Sequence, residues 1–141
     1  MEILIFAETD DKGNLKKDAY EIASYASKIS TENGGSVNAL CFNASNAESL
    51  SDYGVNKIIN SKNEELKNFD AGNYSKCITE VFNNEKCNLL VLSSSSNSKY
   101  IGGVLSVLID ASYVTNVISK PSDSEKMTVV RNTFTNKAFE T

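Results

Sequence analysis

Polar chemistry is concentrated in two places in this chain. One is the acidic group Glu8, Asp10 and Asp11; the other is the hydroxyl-rich run Ser93 to Ser98, followed by Lys99. Carboxyl groups that close together have the makings of a cation site. No further ligand follows at a fixed spacing, so a solvated turn is expected there and no metal site is assigned. The hydroxyl run leads into a helical pattern. Its hydroxyls, the first N–H groups of the helix and the Lys99 ammonium have the character of a site for an anion or a ribose. The same residue types are also ordinary helix caps. Glu8, Ser94, Ser95 and Lys99 are therefore the crevice candidates, and no catalytic residue is assigned.

The remaining composition narrows the chemistry. Histidine is absent, which removes Ser-His-Asp and Cys-His nucleophile systems from this chain. Neither GxxxxGK[ST] nor GxGxxG occurs, so no phosphate loop supports a nucleotide site. A net charge of −4 argues against nucleic acid as a partner. No apolar run approaches the roughly 20 residues that span a bilayer, so membrane insertion is not expected. The opening MEILIFA lacks the basic start of a secretory signal. Cys41, Cys77 and Cys87 are widely spaced and odd in number, which fits buried free thiols and a cytoplasmic location.

Such a crevice has to be built by strands and helices, and the chain alternates between them. Ile3–Ala7 and Asn88–Leu92 are continuous apolar runs, as strands covered on both faces should be. They are expected to be central neighbours, with their following loops facing each other. Leu15, Ala19, Ile22, Ala23, Ala26 and Ile29 lie at helical spacing, with Asn14 as the expected N-cap and Gly34-Gly35 as the stop. Further strands are expected at Ser36–Phe42, Val55–Ile59 and Tyr113–Ile118, and a short helix at Asn46–Asp52. Helical stripes run through Tyr74, Cys77, Ile78, Val81 and Phe82, and through Ile101, Val104, Leu105, Leu108 and Ile109. Gly102-Gly103 inside the last helix is expected to permit close packing. Tyr100 and Tyr113 are the tyrosines to watch as partner contacts. Met127–Arg131 and Lys137–Glu140 are the expected arms of a C-terminal β-hairpin. The whole reads as a single domain over 1–141. Its class is three-layer α/β, with a mainly parallel sheet of about five strands and helices on both faces.

The order of the motifs adds a resemblance. Ile3–Glu8 (ILIFAE) with Gly13–Lys17, Leu50–Ile59 (LSDYGVNKII), Asn88–Ile118 and Arg131–Thr141 follow one another as in the N-terminal domain of the electron transfer flavoprotein alpha subunit. The sequence departs from that family at Tyr100–Leu105, where Asp-Leu-Ala-Pro-Arg-Leu is usual. It departs again at Asn116, where Asp is usual, and at Asn136, where Gly is usual. The resemblance implies an adenine-nucleotide-hydrolase-like fold and a place in a heterodimer with a beta subunit. The intact heterodimer holds one FAD and carries electrons from acyl-CoA and other dehydrogenases to a quinone reductase and the respiratory chain. The FAD is held mainly by a C-terminal alpha domain outside this chain, so no FAD is expected on this domain alone. The implied role is that of a structural and subunit-interface domain, not an enzyme, and such a domain is expected to carry an orphaned apolar patch. The rival reading is a free-standing adenine-nucleotide-binding module of the stress-protein type. An ATP-pyrophosphatase ranks last, because its Ser-Gly-Gly-type loop is replaced here by Glu8–Gly13.

Overall fold

The architecture comes from a computed structural model that describes residues 2–93, 95–109, 111–115 and 127–132, the last two segments as strand backbone. Strands β1 (Glu2–Phe6) and β4 (Leu89–Ser93) are the two uninterrupted apolar runs, and they pair in parallel, Ile3 opposite Leu89 and Ile5 opposite Val91. They lack polar alternation because both sheet faces are covered. Ile3, Ile5, Leu89 and Val91 pack with helix α1 (Lys17–Asn33). Leu4, Phe6, Leu90 and Leu92 pack on the other face with α2 (Ala71–Asn84) and α3 (Ser96–Leu108).

The sheet adds β2 (Ser36–Phe42), β3 (Lys57–Ser61), β5 (Ala111–Thr115) and β6 (Met127–Asn132) in the order β3-β2-β1-β4-β6-β5. The first four strands in the chain are mutually parallel, giving the expected three-layer α/β domain. β6 enters between β4 and β5, antiparallel to both. It covers the residues expected as the first arm of a hairpin, but its two edges are taken by β4 and β5. The second arm, Lys137–Glu140, lies outside the described residues, as do residues 116–118 of the expected fifth strand.

Three local expectations are corrected. Asn14 does not cap α1; Lys16 takes that position, with extended backbone and no side-chain cap. The chain is still extended there because Thr9 and Leu15 form an antiparallel bridge and the Lys16 N–H donates to the Glu8 carbonyl at 2.9 Å. β3 begins at Lys57 rather than Val55, whose side chain is instead buried on the α1 side of the sheet. Gly102 lies on the buried face of α3, but among the described residues a Cβ at Gly103 would meet nothing within 4 Å, so no packing neighbour among them accounts for Gly103.

The link from β2 to β3 is a short 3-10 helix, Ala47–Tyr53, that buries Ala47 and Leu50 against the α1 layer. Gly54 ends it at φ +89°, and a Cβ there would fall 2.6 Å from the Cβ of Ser27 on α1. Only glycine serves both the left-handed turn and that approach.

Candidate functional site

The sheet order fixes where a crevice must open. From β1 the chain moves to β2 on one side, whereas β4 leads to the strands on the other, so the carboxyl ends of β1 and β4 form the switch point. Glu8 follows β1 at this point, Ser93 ends β4, and Ser95 caps α3, accepting from the Ser98 N–H at 3.1 Å. The loops after β1 and β4 do face each other, as expected, and among the described residues the Glu8 side chain reaches across between them.

Glu8 is buried, at 7% exposure. Its Oε2 accepts hydrogen bonds from the hydroxyls of Ser93 (3.0 Å), Ser95 and Ser98. Its Oε1 faces the Lys16 ammonium at 3.5 Å. A carboxylate of this kind is tolerated in the interior because its lone pairs are satisfied by hydroxyl donors and a cation stands beside it. Beside this cage lies a cavity of about 40 Å³, lined among others by Glu8, Thr9, Lys16, Phe42, Tyr74 and Asn97. It is the size of roughly one water molecule. The Tyr74 hydroxyl donates to the Leu66 carbonyl at 3.1 Å. Burial, and then the Glu8 charge, push its phenol above the ordinary range.

Of the crevice candidates, Glu8 and Ser95 are thus brought into direct contact. Ser94 lies outside the described residues. Lys99 is exposed on α3 and does not line the cavity. Ser93 and Ser98 belong to the hydroxyl run singled out in the sequence but are not among its named candidates, and sequence reasoning does not place Lys16 or Tyr74 at the site. Ser98 carried a readable signal, since it stands three residues after the Ser95 cap. Lys16 and Tyr74 carried none, because only the fold brings them to Glu8.

The other acids behave as a turn. Asp10 Oδ1 accepts from the backbone N–H groups of Lys12 (2.9 Å) and Asn14 (3.0 Å), and these two bonds hold its pKa below the usual carboxylate value. Asp11 is exposed. Among the described residues no group of three His, Cys, Asp or Glu side chains is placed to hold a metal. An open groove of about 650 Å³ runs beside this turn, between Asp10–Gly13, Phe42–Asn43 and Lys67–Asn68. Asp10 and Asp11 are balanced in its lining by Lys12 and Lys67, and Phe42 is the aromatic among the lining residues.

The thiols are buried or half-buried and free. Burial raises Cys41 to about 11, with Glu48 adding to it, and raises Cys87 to about 12, with Glu2 and Glu85 adding. Among the described residues no helix is long and apolar enough to cross a membrane. Tyr100 is 68% exposed, whereas the side chain of Tyr113 lies outside the described residues.

A parallel sheet flanked by helices, with a switch-point crevice closed by its own carboxylate, places the chain among Rossmann-like α/β domains. The particular family follows from comparison: the electron transfer flavoprotein domain matches residues 3–141, and the chain belongs to that family. This is a family of electron carriers whose holoprotein is a flavoprotein. No curated protein matches the chain.

Proposed function

We propose that this chain is the N-terminal domain of an electron transfer flavoprotein alpha subunit, acting as a structural and subunit-interface domain that binds no nucleotide by itself. The observation that carries this reading is the closed crevice. At the switch point Glu8 occupies the hydroxyl donors of Ser93, Ser95 and Ser98, and the cavity beside it among the described residues has the volume of about one water. The residues at the crevice do not fit a flavin. The family membership and the ordered motifs from Ile3 to Thr141 support placement in the alpha subunit. On this reading the partner is a beta subunit, and the FAD sits elsewhere in the heterodimer. Acyl-CoA and other dehydrogenases and a quinone reductase meet the assembled cytoplasmic holoprotein rather than this domain.

Calorimetric titration of the chain with AMP, ATP and FAD tests the proposal. No heat of binding is expected with any of them, and the purified chain is expected to be colourless. Micromolar binding of AMP or ATP would make the free-standing nucleotide-binding module the correct reading. Stoichiometric flavin absorbance would show that the domain itself holds the cofactor.

A further inference from the structure

We propose that Asn33–Gly34, at the corner where α1 turns into β2, is a site of spontaneous modification at which Asn33 converts to aspartate and isoaspartate. The reaction needs no second protein. The backbone nitrogen of Gly34 attacks Cγ of the Asn33 side chain, a C–N bond forms, and the side-chain nitrogen leaves as ammonia. Water then opens the cyclic imide at either carbonyl. One opening gives aspartate. The other gives isoaspartate, in which the main chain runs through the side-chain methylene. Glycine after asparagine favours the ring closure most, because no side chain crowds the attacking nitrogen. Asn33 is the only asparagine in the sequence that glycine follows.

The fold leaves this pair open to the reaction. Asn33 is the last residue of α1, and both it and Gly34 are exposed. Among the described residues a Cβ at Gly34 would meet nothing within 4 Å. The helical backbone of Asn33 keeps the Gly34 nitrogen away from Cγ, so the ring closes when the last turn opens. A last turn opens more often than a helix interior. Gly34 and Gly35 stand at φ +76° and +121°, and their freedom lets the peptide plane swing without moving a packed side chain. The asparagines followed by serine are held more firmly. Asn60 is bonded through both its side-chain atoms to Ala44, at 3.0 and 2.8 Å. At Asn97 the nitrogen that would attack is the Ser98 N–H, which donates to Ser95 Oγ at 3.1 Å.

Conversion changes what the corner holds. The Asn33 amide donates to the Ile29 carbonyl at 2.9 Å, and a carboxylate in its place sets one acceptor against another. It also adds a negative charge at the carbonyl end of α1, whose last turn already carries Glu32 and has no basic residue. Isoaspartate does more. Only Gly34 and Gly35 link α1 to β2. The corner is tied by the Ser30 hydroxyl, which donates to the Gly35 carbonyl at 2.9 Å, and by the Ser36 hydroxyl, which donates to Glu2 Oε1 at 2.6 Å. A methylene added to the main chain at residue 33 works against both ties at once.

The test incubates the purified full chain at physiological temperature and mildly alkaline pH and maps its peptides by mass spectrometry over time. Conversion at residue 33 is expected ahead of every other asparagine, with isoaspartate read by enzymatic methyl transfer to the new carboxylate. Gly34→Ala is expected to slow it several-fold. Because φ +76° strains an alanine, Asn33→Gln serves as the second variant, and it is expected to abolish the early product while the chain stays folded. Asn33→Asp is expected to lower the melting temperature by about 2–4 °C, and aged chain enriched in isoaspartate is expected to melt lower still. Asn33 left intact while Asn60, Asn97 or any other asparagine converts first overturns the proposal. So does an early product that persists in Asn33→Gln. A melting temperature for Asn33→Asp at or above that of wild type overturns the part assigned to the corner.

Discussion

Replacing Glu8 by alanine should cost more stability than any single surface change in this protein. The carboxylate is the common acceptor for Ser93, Ser95 and Ser98. Ser93 and Ser98 are 3% and 0% exposed, so water does not replace the lost acceptor for them. Each orphaned hydroxyl costs about 1–3 kcal/mol. The two oxygens stand 3.4 Å apart and can bond to each other, which recovers part of one. Ser95 is half-buried and turns to water. The Lys16 ion pair is long, and the lysine side chain is 41% exposed, so its loss adds less than about 1 kcal/mol. The expected total is about 2–4 kcal/mol, a large share of the roughly 5–15 kcal/mol that holds a domain together. Glu8→Gln keeps an acceptor oxygen without its charge and should cost about half as much. Urea unfolding at neutral pH reads all of these by linear extrapolation. In the double variant Glu8→Ala with Ser98→Ala no buried hydroxyl is orphaned at residue 98, so the pair should be non-additive by about 1–2 kcal/mol. A loss below about 0.5 kcal/mol for Glu8→Ala, or simple additivity in the cycle, would refute the reasoning.

Gly54→Ala should destabilise by about 1–3 kcal/mol, because it meets both a positive φ and the Ser27 side chain; a melting temperature within a degree or so of wild type would contradict this. Cys41 and Cys87 should react with a thiol reagent only as fast as the chain unfolds, with half-buried Cys77 reacting first, as read by mass spectrometry under native conditions. Their raised pKa values carry a sign. Below the unfolded thiol value of 9.0 both states are protonated and nothing is lost, whereas between there and about 11 or 12 the unfolded state ionises first, so stability falls as pH rises. Each thiol removes up to about 1.4 kcal/mol per pH unit in that window, and Cys41→Ala should flatten the decline. Asp10 has the opposite sign. Its lowered value makes its contribution present above 3.8 and lost as pH falls through the folded value, and Asp10→Ala should remove that acid dependence from the unfolding curve.

Much of the frame was legible because burial on both faces leaves an unmistakable pattern. Ile3–Ala7 and Asn88–Leu92 had to be central, and their pairing placed the crevice between the loops that follow them. Helix starts were less legible. Asn14 has the right chemistry for a cap, but the Thr9–Leu15 bridge draws it into the turn with Asp10 and Ser45. The position of β6 was not legible either. Met127–Asn132 reads as a strand of any sheet, and nothing local says that it enters between β4 and β5. At the site, Glu8 and the serine run could be seen separately. Their union spans 85 to 90 residues of sequence, and no spacing rule reaches that far.

Two features of this domain meet on one helix. A switch-point crevice ordinarily leaves the helix N-terminus free for a ligand, and the helix can then shift when the ligand leaves. Here the ligand is part of the chain. Glu8 is fixed to α1 by the Lys16 backbone contact and reaches across the switch point to Ser95 and Ser98 in the first turn of α3. Tyr100, 68% exposed, follows directly after that turn. An internal carboxyl group thus does for α3 what a bound phosphate does in a nucleotide-binding domain of this fold: it bonds to the first turn and fixes where the helix begins. The start and the rotation of α3 are thereby set by the chain's own side chains.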